Sequence, residues 1–214
     1  MKISQFLLCT VSIAAALAAT QARAQNSLTA QLTNIIPGLT INGTLNGGGL
    51  QDYRTGTMNF ADQTHSVTFD AFCVDPLTSM AFNDVAVYDI QDPSTLTNND
   101  TIARLVSRYL ASSLSDDEAA AAQWAIWEIT TEASATKSLS SGSGNVYITS
   151  PAGDSTIALG NSYLSNYSTY SPASLTYLTS TTGQNIVSWN AVPEPSTVGL
   201  AGLSGLLLLR RRRA

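Results

Sequence analysis

Cysteine and histidine are almost absent from the sequence, and their scarcity removes two kinds of site. The chain has two cysteines, and Cys9 lies inside an apolar leader, so Cys73 is the only cysteine left in the body of the protein. A single cysteine cannot form an internal disulfide, and it becomes a residue to examine for reactivity. Because His65 is the only histidine, a zinc-type site is not expected. We therefore predict neither a metal nor another cofactor.

Basic side chains are also scarce outside the two ends of the chain. Between Gln25 and Val192 there are 4 Lys and Arg residues against 14 Asp and Glu residues, a net charge of −10. Such an acidic body repels the phosphates of nucleic acids and the headgroups of anionic lipids. We expect no nucleic-acid partner, and contact with a membrane only through the C-terminal tail.

The motifs of common catalytic sites are missing as well. The sequence contains no Gly-x-Ser-x-Gly motif, no phosphate-binding loop and no dinucleotide fingerprint. A hydrolase has no supporting set of residues either. We therefore predict that the protein is not an enzyme and has no catalytic residues.

Residues 1–24 are predicted to be a signal peptide. Lys2 provides a positive start, the stretch from Phe6 to Ala19 is almost wholly apolar, and Ala22-Arg23-Ala24 supplies a small-x-small cleavage site. An apolar core this short, followed by a cleavage site, is typical of a leader that is removed rather than of a spanning helix. The mature protein is expected to begin at Gln25.

Residues 192–214 are predicted to be a second sorting segment, with a short transmembrane stretch. Pro193-Glu194-Pro195 is followed by a twelve-residue apolar run, Val198 to Leu209, and then by Arg210 to Arg213. A helix of that length measures about 18 Å, which is short of the ~30 Å hydrocarbon core of a bilayer. The arginines would stay on the cytoplasmic side. Such a weak anchor is typical of a segment that is held only until it is processed.

These three parts, in this order, resemble the PEP-CTERM sorting signal. The resemblance implies recognition at Pro193, Glu194 and Pro195 by an exosortase-type processing enzyme. It also implies an exported protein with a transient inner-membrane anchor, which ends at the cell surface or in the extracellular matrix. The family is associated with bacteria that make exopolysaccharide, and hence with biofilm.

The body, residues 25–191, is predicted to be one α+β domain. Alternating runs predict strands from Asn26 to Ile90. Turns are predicted at Pro37-Gly38, Asn42-Gly43, residues 46–49 and Thr55-Gly56. Further strands are predicted at Val146 to Thr149, Leu175 to Thr179 and Asn185 to Trp189. The order of strands, helices and strands predicts a β-sandwich or barrel body with an inserted two-helix segment.

The two helices are predicted from their caps and their apolar stripes. Asp100 or Thr101 caps the first, and Ser115 and Glu118 form a capping box before the second, which runs to about Ala133. The stripe of the first helix contains Ile102, Leu105, Val106, Tyr109 and Leu110, and that of the second contains Ala120, Gln123, Trp124, Trp127 and Thr131. The helical period therefore places Gln123 on the same face as two tryptophans.

One strand carries the remaining cysteine. In the run from Ser66 to Cys73 a period of two places Val67, Phe69, Ala71 and Cys73 on a single face. If this is the core face, Cys73 points inward.

Two short motifs, Phe72-Cys73-Val74-Asp75 and Ala122-Gln123-Trp124-Ala125-Ile126-Trp127, carry a second resemblance. Together they resemble the thioester domains of bacterial surface adhesins, and the resemblance spans Leu39 to Thr131. Ala122 stands where that family has threonine. The resemblance implies a covalent thioester cross-link between Cys73 and Gln123, and it identifies Phe72, Asp75, Trp124 and Trp127 as the walls of the site.

The chemistry of these residue types agrees with that interpretation. A cysteine thiolate is a good nucleophile, and a glutamine carboxamide becomes an electrophile when it is held close and shielded from water. The expected function is an exported surface or matrix adhesion protein that attaches covalently to an amine or hydroxyl of a protein or polysaccharide target. The alternative is a non-covalent structural or carbohydrate-binding protein of the exopolysaccharide matrix, in which Cys73 is a small apolar side chain.

Overall fold

A long hairpin begins the fold in the computed structural model, which describes residues 27–132, 137–142, 144–149 and 154–190. Strand β1 (Ser27–Thr44) pairs with the antiparallel strand β2 (Gln51–Asp62) through most of its length. The remaining strands are β3 (Val67–Cys73), β4 (Val85–Gln91), β5 (Tyr147–Ile148), β6 (Thr176–Thr179) and β7 (Ile186–Ser188). The first four strands confirm the prediction of a strand-rich N-terminal half.

Six of these strands close into a barrel. The order β2-β3-β7-β6-β4-β1 returns to β2 because β1 pairs with β2 as well as with β4. The two-residue strand β5 lies outside this ring, against the end of β1 at Gly43 and Thr44. A closed ring leaves the six strands without long free edges. The barrel, combined with helices, agrees with the predicted α+β class and decides between a sandwich and a barrel.

The predicted turns are wrong at three of four positions. β1 continues through Pro37-Gly38 and Asn42-Gly43, and β2 continues through Thr55-Gly56; residues 46–49 alone lie between strands. The register of the hairpin shifts between Ile36 and Leu39, next to Gly38 with φ of 71° and opposite Gly56 with φ of 144°. These glycines therefore serve a β-bulge, which bends a strand without ending it.

The described residues contain three α-helices rather than the two predicted. Helix α1 (Asn99–Leu110) and helix α2 (Asp116–Thr131) correspond to the predicted pair, while α3 (Asp154–Asn166) was not predicted. The predicted cap of α1 is wrong, because its N-cap is Asn98 and not Asp100 or Thr101. Single 3₁₀ turns lie at Pro93–Thr95 and Tyr167–Thr169. α2 packs against α1, α3 and strand β2, so it lies between the barrel and the other two helices.

Two apolar predictions at the edges of elements are wrong. Val67 begins β3 and is 38% exposed, and Leu110 ends α1 and is 41% exposed. Both lie at the ends of their elements, where the neighbouring strand or helix no longer covers them. The middle of each stripe is buried as predicted, since Phe69, Ala71 and Cys73 are in the core of the protein.

Candidate functional site

Cys73 lies at the end of β3, where only one side of the strand is paired. Its pairing with β7 continues to the end, at Ile186. Its pairing with β2 stops two residues earlier, at Ala71 opposite Met58. The backbone N–H and C=O of Cys73 on the β2 side therefore have no strand partner, and a buried peptide group left in that state is costly.

The side chain of Gln123 occupies this gap in the sheet. The backbone N–H of Cys73 donates to Oε1 of Gln123 over 3.0 Å, and Nε2 of Gln123 donates back to the carbonyl oxygen of Cys73 over 2.8 Å. Both residues are 1% exposed. The carboxamide thus replaces a strand neighbour, and the predicted pairing of Cys73 with Gln123 in space is what the structure contains.

The position of Gln123 is fixed by helix α2, through the N-cap of the helix and through its burial between the barrel and the other helices. Oγ of Ser115 accepts a hydrogen bond from the backbone N–H of Glu118, as the predicted capping box requires. Glu118 does not reach back to complete the box; its carboxylate accepts from the hydroxyl of Tyr163 on α3 instead. Every residue from Ala119 to Ile129 is buried, and the small alanine side chains let the helix approach the barrel closely. Gln123 is thereby brought up to the end of β3.

A cavity of about 540 Å³ opens above the pair, and both Cys73 and Gln123 line it. One wall is the start of β2, and the opposite wall is the loop after β3. The remaining lining residues include Gln51, Asp52, Tyr53, Arg54, Pro76, Leu77, Thr78, Met80, Trp127 and Gln184. Leu77 at the rim is 64% exposed, so the cavity gives a solvent-borne group a route to the buried pair.

Burial dominates the electrostatics of Cys73. It raises the pKa of the thiol to about 12, because a thiolate loses its hydration inside the protein. Trp127 and the backbone N–H of Asp75 oppose this rise, while the negative charge of the Asp75 carboxylate adds to it. At neutral pH the sulfur is therefore a protonated thiol, and any reaction through it requires a route for that proton.

The four predicted wall residues do not all surround the pair. Trp127 lines the cavity, and Trp124 packs edge-on against it with ring centroids 5.3 Å apart. Asp75 lies two residues beyond Cys73 and accepts a hydrogen bond from the Thr78 hydroxyl. Phe72 points to the opposite face of β3, since side chains alternate along a strand.

The surroundings of Phe72 show what its ring does instead. It lies 5.1 Å from the ring of Tyr109 on α1 and 5.0 Å from that of Trp189 after β7. Phe69, which shares the Cys73 face, stacks on Phe60 at 5.3 Å inside the barrel. Phe72 therefore helps to hold α1 on the barrel rather than to cover the thiol.

Several residues of the cavity were missed by the sequence interpretation. Tyr53 contacts both Trp124 and Trp127 edge-on, and Gln184 donates a hydrogen bond to the carbonyl of Thr78. Neither belongs to a motif, and both approach the site only because the barrel closes. No pattern in the sequence around Tyr53 or Gln184 indicates that either residue lies near Cys73.

His65 and Asp62 form a polar pair at the end of β2. Nδ1 of His65 lies 2.6 Å from Oδ2 of the buried Asp62, at the β2–β3 turn. Within the described ranges, no three side chains of His, Cys, Asp or Glu are placed to hold one metal ion. The candidate site therefore consists of Cys73, Gln123 and the cavity above them.

The comparisons with known proteins bear on the C-terminal tail. A family model described as the PEP-CTERM protein-sorting motif matches residues 191–213. No curated protein and no solved structure matches the chain. The motif implies an exported protein that an exosortase processes, with a transient membrane anchor at its C-terminus. None of these comparisons supports the resemblance of the body to thioester domains.

The two ends of the chain lie outside the described residues, as do the predicted signal peptide and the predicted transmembrane stretch of the tail. Among the helices that the structure does describe, none is both long and apolar enough to cross a bilayer.

Proposed function

We propose that this exported protein is a surface or extracellular-matrix adhesion protein that attaches covalently through an internal thioester between Cys73 and Gln123. The observation that carries the proposal is the reciprocal pair of hydrogen bonds holding the Gln123 carboxamide against the backbone of Cys73. The cavity above the pair supports it further, because a reactive bond needs an entrance for its target.

The bond would form by attack of the Cys73 sulfur on the side-chain carbonyl carbon of Gln123. A C–S bond forms, the C–N bond of the carboxamide breaks, and the thiol proton leaves with the nitrogen as ammonia. Cys73 N–H already donates to Oε1, the oxygen on which negative charge develops during the attack, and a donor in that position stabilises the transition state. The fixed geometry also lowers the entropic cost of bringing the two groups together.

The thioester would be opened by an amine or hydroxyl that enters the cavity. The incoming nucleophile forms an amide or ester with the Gln123 carbonyl, and Cys73 recovers its proton as a free thiol. Trp127 and the buried walls would slow hydrolysis by limiting the number of water molecules around the bond. The result is a protein joined covalently to a surface partner, with no oxidant or cofactor required.

Intact-mass measurement of the purified protein tests the proposal. We expect a mass lower than that of the processed sequence by one ammonia, and a Cys73 that resists alkylation even after unfolding. Methylamine should add its own mass and expose one thiol. Gln184→Ala is a matched control, because Gln184 lines the same cavity and donates its hydrogen bond to Thr78; this variant should keep the mass deficit.

Cys73→Ala and Gln123→Ala should each abolish the deficit and the response to methylamine. An unmodified mass in freshly prepared protein, together with complete alkylation of Cys73 on unfolding, would show that no thioester forms.

A second function is favoured by the same hydrogen bonds. Both polar atoms of the Gln123 carboxamide satisfy the backbone of Cys73, so Gln123 has a sufficient structural role without any reaction. The cavity then becomes a binding site in a non-covalent matrix protein, with Tyr53, Asp52 and Arg54 offering an aromatic surface and polar groups to a carbohydrate. Polysaccharide binding that survives Cys73→Ala but weakens with Arg54→Ala, in protein of unmodified mass, would identify this function.

A further inference from the structure

Two buried indole N–H groups on helix α2 stand out because they have no hydrogen-bond acceptor. In the part of the chain that the structure describes, Nε1 of Trp124 and Nε1 of Trp127 are both buried without a partner of ordinary geometry. A buried donor without a partner normally has an explanation in the structure or the chemistry of a protein. The two tryptophans share a neighbour, since the ring of Tyr53 contacts both.

Their positions relative to Cys73 differ. Trp127 lines the cavity together with Cys73 and Gln123, whereas Trp124 does not line it. Trp127 also acts on the thiol of Cys73, whose pKa it lowers against the larger effect of burial. A neutral thiol is a weak acceptor and leaves the indole unpaired, while a thiolate is a strong acceptor for the same N–H.

We infer that the indole N–H of Trp127 is the donor that stabilises the Cys73 thiolate, and that it stands unpaired in the resting protein because that thiolate has not formed. In thioester opening the sulfur is the leaving group, so a donor aimed at it speeds its departure. This second role rests on the proposed function; the stabilisation of the thiolate itself does not.

The other charged and titratable groups near the sulfur cannot replace this donor. The negative charge of the Asp75 carboxylate disfavours the thiolate. Burial raises the pKa of the Tyr88 phenol, and the negative charge of a Cys73 thiolate adds to that rise. Asp52 and Arg54 lie on the wall of the cavity formed by β2. The backbone N–H of Asp75 is a second donor, and it stays in place when Trp127 is changed.

The test uses the purified protein with Gln123→Ala, in which Cys73 is a free thiol whether or not the native protein forms a thioester. Because burial raises the pKa of Cys73 to about 12, the thiolate is followed at a pH where the protein stays folded, near 8, by the rate at which iodoacetamide alkylates Cys73. The reacting species is the thiolate. Adding Trp127→Phe, which keeps an aromatic ring and removes the N–H, should slow this alkylation roughly tenfold. Trp124→Phe is the matched control and should leave the rate unchanged.

A second measurement needs no change at Trp127. In the Gln123→Ala protein the indole N–H signal of Trp127, followed by nuclear magnetic resonance near neutral pH, should shift when Cys73 is also replaced by alanine, and the signal of Trp124 should shift less. An alkylation rate unchanged by Trp127→Phe, an equal loss of rate with Trp124→Phe, or an indole signal of Trp127 that does not respond to Cys73→Ala would overturn the inference.

A third arm separates the inference from the proposed function. In protein that retains Gln123, Trp127→Phe should slow opening by methylamine about tenfold, while Trp124→Phe should not. If the native protein shows no mass deficit, the proposed function fails and this measurement no longer applies, but the alkylation rates of the Gln123→Ala proteins still decide whether Trp127 stabilises the thiolate.

Discussion

Glu128 is a buried carboxyl group on the same helix as Gln123. It is 1% exposed, its Oε1 accepts a hydrogen bond from the backbone N–H of Ser138 over 3.1 Å, and its Oε2 has no partner among the described residues. Burial raises its pKa from 4.5 to about 7, against the lowering effects of Ser138 and Lys137 and with a smaller raising effect of Glu132. The folded protein therefore favours the protonated form of this side chain.

We predict that Glu128 makes the protein less stable as the pH rises. The unfolded carboxyl ionises near 4.5 and the folded one near 7, so between these values the folded state holds an extra proton. The free energy of unfolding should fall through this window and stay reduced above it. Glu128→Gln, which keeps an oxygen acceptor for Ser138, should remove the effect and raise stability above pH 7 by on the order of 1–3 kcal/mol.

Urea unfolding of both proteins at a series of pH values from 4 to 8 measures this difference. Asp89→Asn, at an exposed position of β4, is a control that should retain the pH dependence of the wild type. Parallel stability curves for the wild type and Glu128→Gln across the window would contradict the prediction.

At the scale of elements, the seating of α2 on the barrel depends on a glycine of β1. A Cβ at Gly43 would lie 2.6 Å from Cη2 of Trp124 and 2.5 Å from the carbonyl oxygen of Tyr147. The first contact would displace a large buried ring, and the second would displace the backbone of β5. No side chain fits there without movement of the helix or the strand.

Gly43→Ala should therefore destabilise the protein by about 1–3 kcal/mol through overpacking, as measured by urea unfolding. Gly49→Ala serves as the control, because a Cβ there meets no atom within 4 Å, and its effect should be small. Equal stability of the Gly43→Ala and Gly49→Ala proteins would contradict the prediction, because it would mean that Trp124 and β5 move to accommodate the methyl group at little cost.

Elements of the fold that depend on local chemistry could be predicted from the sequence, whereas those that depend on distant partners could not. Ser115 marks the start of α2 because its hydroxyl acts on an adjacent backbone N–H, which is local chemistry. Pro37-Gly38 looked like a turn, but the partner strand extends through it and turns the irregularity into a bulge. Helix α3 was missed because its segment, Asp154–Asn166, is rich in Ser, Asn and Gly, which are weak helix formers. Its packing against α2 compensates for that weakness.

The candidate site could also be predicted only in part from the sequence. The motifs around Cys73 and Gln123 predicted that the two residues meet. They could not predict that the carboxamide replaces a strand partner, since this depends on the pairing of β3 with β2 ending at Ala71, opposite Met58. The resemblance to thioester domains implies that Phe72 is a wall of the site, although the alternation of a strand sends its side chain to the other face, against Tyr109.

At the scale of the whole molecule, sorting and folding belong to separate parts of the chain. The matched sorting motif covers residues 191–213, and the last described strand, β7, ends at Ser188. The barrel is closed by pairings that involve no residue of the motif. Changes within the motif should therefore affect processing without affecting the stability of the barrel.

We predict that replacing Pro193, Glu194 and Pro195 with alanine blocks removal of the tail and leaves a membrane-bound form that still ends in the arginines. If the twelve-residue apolar run is helical, its length would be about 18 Å, short of a ~30 Å hydrocarbon core, so it would hold the protein only weakly. Arg210 to Arg213 would then act as a charged stop on the cytoplasmic side. The same form should accumulate when the native protein is made in cells without the processing enzyme.

Fractionation of the cells, with mass measurement of the C-terminal peptide, distinguishes the processed form from the unprocessed one. Urea unfolding of the extracted variant should give the same stability as urea unfolding of the native protein. Full-length tails on protein released from cells would contradict processing at this motif.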